Sequence, residues 1–432
     1  MLAYSFPPRS VTGTFRSLGF ARNLASMGWD IQVLSASGYL KNNIDVSLLD
    51  KVPPEVKVWN APDYDPVVFL KNIIRKSHRL SSNDEQSKYS GRKKPTHNKT
   101  TNSLKELITT LLKTPDNYTG WLLPALKIAR KIPKPDLIYS SAPPFTSHII
   151  ACLLKMRWKI PLVTDFRDPW TDNPFRVYTT NSVKRWDRFL EKSVFKNSNL
   201  IIANTSKMAD LFQKNNPQHA AKIKVITNGF DLEDYSDILP LRDESMDNLL
   251  LIHPGSLYGK RNPLCFLSAL KNVLADGCTR LRVLFIGSSD KFEGKSLSEH
   301  ILDFGLNNYV KLHPPVGRKE ILSLMKGADG LLLFSQGTQL QVPAKLFEYL
   351  AIGKQIIAIG ENDSATNDIL QTIPDSYYWA ENQVDDIIHV LKKFYLNTDS
   401  RKEVTTEIGN STYERGYLTQ NLSEYLCDLL RK

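Results

Sequence analysis

Short apolar runs alternate with amphipathic stretches along most of the chain. The clearest run is 330–334, GLLLF, followed by a polar loop over 335–341 and then VPAKLFEYLAIG. A short, continuous apolar run of this kind predicts a buried parallel strand. Pro343 suits the first turn of a helix, where its missing N–H is not needed. Leu346, Phe347 and Leu350 recur at helical spacing, Gly353 suits a helix stop, and 355–359 reads as the next buried strand. The same alternation fills the first half. Strands are predicted over 2–6, 31–35, 56–60, 136–140, 161–165, 200–203 and 224–227, with helices over 14–28, 146–158 and 183–196 and from 205. It begins again at 249–252 and continues through 281–286, 310–312, 330–334 and 355–359. Strand–helix alternation predicts an α/β fold with doubly wound parallel sheets, and two series predict two of them. The expected domains are 1–230 and 231–410, with a last amphipathic segment over 411–432.

The pattern breaks once, over about 66–115. Val67, Val68, Leu70, Ile73, Ile74 and Leu80 alternate with Lys71, Arg75, Lys76 and Arg79, which predicts a basic amphipathic helix. Residues 81–102 are polar, and 103–113 reads as a second short helix. A basic amphipathic pair suits an anionic membrane surface. It equally suits helices packed on the domain beneath an exposed basic loop.

Composition narrows the partners. The chain has 432 residues, enough for two cores, and its 41% hydrophobic content is that of a globular protein. Cys152, Cys265, Cys278 and Cys427 are scattered with no CxxC pair, which predicts reduced thiols and a cytoplasmic setting. No run approaches a transmembrane length and the start lacks a signal-peptide layout. A net charge of +11 favours an anionic partner: a nucleotide diphosphate, a lipid phosphate or a membrane surface. No nucleic-acid motif accompanies the charge, so nucleic acid is not expected.

Candidate chemistry gathers where predicted strands end. Lys345 and Glu348 are three apart, on one face near a helix start. A helix N-terminus after a parallel strand is a ready anion site. A lysine there can meet phosphate, and a glutamate one turn later can accept ribose hydroxyl protons. Alternatively the two form an i,i+3 ion pair. The loop over 7–16 carries Gly13, which permits close backbone approach, and Arg16 at the helix start. The run Asp165-Phe-Arg-Asp-Pro-Trp170 sets Arg167, Asp168 and a stacking surface at a strand's carboxyl end, where open α/β sheets bind ligands. Its plainer reading is a capped turn with an Arg167–Asp168 pair. Gly255, Ser256, Lys260 and Arg261 follow the strand at 249–252, and Gly287 ends the strand at 281–286.

The residues Pro343, Lys345, Glu348, Tyr349, Ala351 and Gly353 closely resemble the nucleotide-sugar helix of GT-B glycosyltransferases of the group 1 (GT4-like) families. Gln355 stands where a final proline is usual. The run 165–170, with SSAPPF at 140–145 and DNYTGW at 116–121, resembles a bacterial subgroup of them. The resemblance implies two Rossmann-like domains facing across a cleft, with 411–432 crossing back to the first. It implies that Lys345 and Glu348 hold diphosphate and ribose, that Gly255 approaches the nucleotide, and that Gly287 lines the base pocket. Val316 lies in Pro314-Pro-Val316, which resembles the loop whose backbone reads the base in those enzymes. Ser256 stands where many relatives have arginine, which leaves Lys260 and Arg261 to carry leaving-group charge. Gly13 and Arg16 would face the donor phosphates and acceptor. Arg167 would hold an anionic group and Asp168 would orient the acceptor hydroxyl or the sugar. Many relatives have a glutamate eight residues before the ribose glutamate; here Leu340 stands there, flanked by Gln339 and Gln341, which can bond sugar hydroxyls but supply no carboxylate.

The implied activity is retaining transfer from a nucleotide-sugar donor to a glycan or lipid-linked acceptor, in bacterial surface polysaccharide synthesis at the inner face of the membrane. Neither cofactor nor metal is expected, since no D-x-D is predicted at a strand end. Two alternatives stand beside it: a GT-B-fold sugar-nucleotide epimerase, and a non-catalytic nucleotide-sugar-binding scaffold.

Overall fold

Two all-parallel sheets organise the chain in the computed structural model, which describes residues 1–37, 43–65, 109–242, 248–373, 375–397 and 412–431. The expected basic helix over 66–80 and the polar stretch 81–102 lie outside the described residues, as does most of the helix over 103–113.

The first compact unit comprises Met1–Asn204, Phe212–Val225 and Leu422–Lys432. Its sheet is built from β1 (Leu2–Ala3), β2 (Gln32–Ser37), β3 (Lys57–Pro62), β4 (Ile138–Ala142), β5 (Leu162–Phe166), β6 (Leu200–Ala203) and β7 (Ile223–Val225). The order is β3-β2-β1-β4-β5-β6-β7. Helices α1 (Thr12–Ser26), α2 (Leu122–Ala129), α3 (Thr146–Trp158) and α4 (Asn181–Asn197) flank it, and α5 (Ser206–Asn215) follows β6. Strands β4, β5 and β6 are buried at every position, as in a parallel sheet covered on both faces, even though β4 carries Ser140 and Ser141 and β5 carries Thr164 and Asp165. Of the run expected over 2–6, Leu2 and Ala3 form the ladder pairs, and the Tyr4 carbonyl accepts from Ala36 N–H at 3.2 Å. Pro7 and Pro8 offer no N–H to a ladder, so the chain leaves the sheet early while Tyr4 and Phe6 stay buried.

The second unit comprises Thr205–Leu211 and Ile226–Asn421. Its strands are β8 (Leu249–Pro254), β9 (Leu281–Ile286), β10 (Val310–His313), β11 (Gly330–Phe334), β12 (Gln355–Ile359) and β13 (Tyr377–Ala380). Their order is β10-β9-β8-β11-β12-β13. Between them run α6 (Leu264–Ala275), α7 (Leu297–Asp303), α8 (Arg318–Gly327), α9 (Ala344–Ile352), α10 (Ala365–Gln371) and α11 (Val384–Asn397), and α12 (Arg415–Arg431) follows. The period-2 geometry of a strand sorts alternate residues to opposite faces. Leu251, Leu332 and Ile357 join a core with Phe266, Phe285 and Phe394, whereas their neighbours Ile252, Leu331 and Ile356 join another with Leu346 and Phe347. Strand β13 was not expected: its tyrosines and tryptophan are only partly buried at a sheet edge, which blurs the apolar signal.

In each sheet the winding direction reverses beside the first strand, between β1 and β4 and between β8 and β11. Ligands of open α/β sheets bind outside the carboxyl ends at such switch points.

Candidate functional site

Three chain segments converge at the switch point of the second unit. Strand β8 is followed directly by Gly255, whose φ of +102° is strained for any L side chain. Its N–H donates to the Ile286 carbonyl at 2.5 Å, tying it to the end of β9. Gly287 also has positive φ, and a Cβ there would come within 2.8 Å of the Gly255 carbonyl carbon. A Cβ on Gly255 itself would meet Lys345 Nζ at 2.5 Å. The two glycines thus leave a floor over which Lys345 extends from the second residue of α9.

Helix α9 begins after Pro343, which supplies no side-chain cap, and ends at Gly353 in the left-handed conformation, φ 72°. Its first turn holds no carboxylate, so its open amides and Lys345 present positive charge together. Among the described residues Lys345 pairs with no carboxylate. Burial lowers its pKa to about 8, and Arg261 adds to the shift while Glu348 opposes it. A half-buried ammonium with no carboxylate paired to it among the described residues has the charge that suits an anion.

Glu348 lies one turn on. The alternative of a Lys345–Glu348 pair is not what forms: Glu348 Oε1 accepts from Arg318 Nη1 at 2.8 Å. The other branch of Arg318 reaches Asp234 at 3.4 Å. Arg318 opens α8 directly after the Pro314-Pro-Val316 loop, and Val316 packs on the core there. The sequence reading missed Arg318, because nothing local marks an arginine at a helix start as the partner of a glutamate on another helix. It also left His253 without a role. That imidazole is 1% exposed, with Nδ1 at 2.7 Å from the Leu332 carbonyl and Nε2 unpartnered. Burial, then the charge of Lys345, holds its pKa well below the ordinary value. The Leu332 carbonyl also accepts from Tyr349 at 3.1 Å, so β11 fixes the underside of α9.

The other predicted residues of this unit are placed as follows. Ser256 and Ser288 hydroxyls are 2.8 Å apart. Arg261 lies over the Tyr258 ring, 4.9 Å from its centroid. Lys260 is exposed, and its stem lies against Gly337 in the loop after β11. Leu340 and Gln341 are half-buried, Gln339 is exposed, and Gln341 N–H donates to the Thr338 carbonyl at 3.3 Å.

At the switch point of the first unit, Arg16 is not the ligand contact expected of it. It is 2% exposed and forks onto Asp165, with Nε at 2.9 Å and Nη2 at 2.7 Å. Ser141 donates to the same carboxylate at 3.0 Å. Gly13 makes room for Arg167: a Cβ there would overlap the guanidinium. Arg167 donates to the carbonyls of Ala142 and Pro143, which aims it across the β4–α3 turn. Asp168, half-buried, follows it and adds attractive charge. Trp170 offers no stacking surface. It is fully buried, lies flat on Phe145 with ring centroids 4.6 Å apart, and donates to Asp187 at 2.9 Å. One further expectation is corrected. Strand β3 runs to Pro62, so Asp63-Tyr64-Asp65 is a D-x-D directly after a strand; Asp63 is buried and accepts from Tyr4 at 2.5 Å. Among the described residues no group of three or more His, Cys, Asp or Glu is placed to hold a metal ion.

A cavity of about 490 Å³ also opens in this unit, lined by Thr110, Lys113, Asn117, Asn173, Phe175 and Tyr178 among others. None of Gly13, Arg16, Arg167 or Asp168 lines it.

Comparison with known proteins fits this architecture. Residues 89–234 match the family model of Glycosyltransferase Family 4. No curated protein matches the sequence. Among solved structures, Anabaena HepE in complex with UDP is 15% identical with a TM-score of 0.60, covering 99% of this chain and 98% of that one. WaaG, a glycosyltransferase involved in lipopolysaccharide biosynthesis, is 13% identical with a TM-score of 0.57, covering 98% of each. A putative UDP-N-acetylglucosamine 2-epimerase from Listeria monocytogenes is 9% identical with a TM-score of 0.54, covering 95% of this chain and 92% of that one. The chain therefore has the two-domain, Rossmann-like GT-B fold, and over residues 89–234 its sequence is similar to Glycosyltransferase Family 4.

Proposed function

We propose that the protein is a glycosyltransferase that moves a sugar from a nucleotide-sugar donor to a glycan or lipid-linked acceptor in bacterial surface polysaccharide synthesis. The observation that carries this reading is the Lys345 ammonium, paired with no carboxylate among the described residues, over the Gly255–Gly287 floor, with Glu348 one turn along the same helix. The first suits a diphosphate and the second a ribose. The match of residues 89–234 to Glycosyltransferase Family 4 supports it, and so does the structure of Anabaena HepE solved with UDP-glucose.

Breaking the bond to the diphosphate develops positive charge on the sugar and negative charge on the leaving group. The α9 amides, Lys345, Lys260 and Arg261 would stabilise that negative charge, which rises in the transition state. This division of labour asks no metal of the site. In the retaining course, the acceptor hydroxyl attacks from the side the diphosphate leaves, and a diphosphate oxygen takes its proton. Asp168 would orient the acceptor hydroxyl or the sugar, with Arg167 beside it holding an anionic group. A sugar-nucleotide epimerase shares this fold and would use the same nucleotide pocket, so product identity separates the two readings. The test is turnover of a panel of nucleotide sugars, UDP-glucose first, with extracted lipid-linked acceptors and chelator present, the product anomer being read by NMR. A glycosylated acceptor with the donor's configuration supports the proposal. Epimerised donor, or donor binding without any turnover, overturns it in favour of the epimerase or the binding scaffold.

A further inference from the structure

Helix α4 departs from the usual division of a surface helix. Its apolar residues Val183, Val194 and Phe195 are buried, yet Trp186 and Phe189 point outward, 42% and 59% exposed. Their rings stack on each other at 5.4 Å with planes 20° apart. At 100° per residue, Arg185, Phe189, Lys192 and Lys196 fall in one stripe, with Trp186 and Arg188 on its two sides. All six are exposed.

No carboxylate belongs to that stripe. The helix has two acids, and both turn inward. Asp187 accepts from Trp170 at 2.9 Å and Tyr178 at 2.7 Å, and pairs with Arg176 at 2.5 Å. Glu191 accepts from Thr171 Oγ1 at 2.5 Å. The loop before the helix adds apolar area on the outside, with Phe175 at 53% and Val177 at 91% exposure.

Exposed aromatic rings among cations, with both acids of the helix turned inward, fit one kind of partner. Trp and Phe settle at the headgroup level of a bilayer, and Lys and Arg are drawn to anionic lipid. We propose that the outward face of α4, together with Phe175 and Val177, is a docking surface for an anionic lipid bilayer. The expected basic segment over 66–80 is not needed for this, because the charge and the rings are both on α4.

The test is co-flotation of the full-length protein with vesicles, either neutral phosphatidylcholine or a mixture with anionic phosphatidylglycerol, across a salt series. The wild type should float with anionic vesicles only, and less so as salt rises. Each cation near an anionic surface is worth about a factor of five, so Arg185→Gln/Arg188→Gln/Lys192→Gln should weaken binding roughly 100-fold and flatten the salt dependence. Trp186→Ser/Phe189→Ser should weaken binding about tenfold or more with the salt slope retained. Unchanged circular dichroism and melting temperature establish that both variants fold; all five positions are exposed. Equal flotation of wild type and variants, or equal binding to neutral vesicles, would overturn the proposal. So would failure of the wild type to float while it sediments as a dimer that the aromatic variant dissociates, which would make this face a contact between copies.

Discussion

Arg318 and Glu348 stand 30 residues apart and meet at 2.8 Å, so the carboxylate assigned to ribose is already oriented by a cation on a neighbouring helix. The pair is about one-third exposed on each side, where an ion pair alone is worth little. Its value would lie in pointing Glu348 rather than in stability. Glu348→Gln should therefore weaken UDP binding about 10–100-fold, because a charge-assisted hydrogen bond contributes about 1.5–3 kcal/mol. Arg318→Gln should cost only a few-fold, and the double change no more than Glu348→Gln alone. Calorimetry on folded variants decides it. Unchanged affinity in Glu348→Gln would remove this residue from the site.

Lys345 gives a prediction in pH. Burial lowers its pKa from 10.5 to about 8 in the folded protein. Between those values the unfolded chain holds a proton that the folded chain has released, so this group's contribution to stability rises with pH across that window. A bound diphosphate favours the charged form and reverses the shift. UDP binding near pH 8.5–9 should accordingly take up a proton, and affinity should fall as pH climbs above about 8. Calorimetry in buffers of different ionisation enthalpy reads the proton directly. Lys345→Met should abolish the uptake and lower affinity about tenfold or more, yet leave the melting temperature at neutral pH equal or higher. A variant that binds UDP normally would remove Lys345 from the nucleotide site.

Much of the second unit was legible because its signals are local. Pro343, the spacing of Leu346, Phe347 and Leu350, and Gly353 place α9 within a few residues. The β8 and β9 glycines mark where a ligand can approach backbone. What was not legible depends on distant partners. Arg16 reads as a helix-start cation until Asp165, 149 residues away, is seen to hold it. Trp170 reads as a sugar platform until Phe145 covers its face. In both cases the residue type is right for binding and burial decides otherwise.

The Arg16–Asp165 pair is fully buried, so its two members should differ sharply from surface pairs. Removing one charge strands the other, and Asp165→Asn should destabilise the protein by about 3–5 kcal/mol. Replacing both, as Arg16→Met/Asp165→Leu, should cost less than Asp165→Asn alone. Burial works against the Asp165 charge, but Arg16 outweighs it, so the pKa lies below the ordinary value. Its contribution is thus complete above the unfolded-state pKa of about 4 and disappears as pH falls through the lower folded value. Denaturant unfolding followed from pH 7 down to about pH 2 measures both effects. Loss of stability no greater than that of a surface pair would contradict the assignment.

Asp168 is the strongest remaining candidate at the switch point of the first unit. It follows the end of β5 by two residues, at the edge where parallel sheets present ligand groups. Arg167 beside it is anchored on two backbone carbonyls, so the local chain is held in place and Asp168 is carried on a rigid support. Trp170 is part of that support rather than of the sugar contact. If Asp168 only steadies the turn, Asp168→Asn keeps most hydrogen bonding and changes little. If it orients the acceptor hydroxyl or the sugar, the same change should reduce turnover by roughly 10²–10⁴-fold. UDP affinity should hardly move, because Lys345 and Glu348 belong to the other unit. Turnover and UDP affinity are therefore measured on the same preparation. Normal turnover would assign Asp168 a structural role. Loss of turnover with intact UDP binding would assign it to the reacting sugar or its acceptor, and loss of both would indicate a damaged fold.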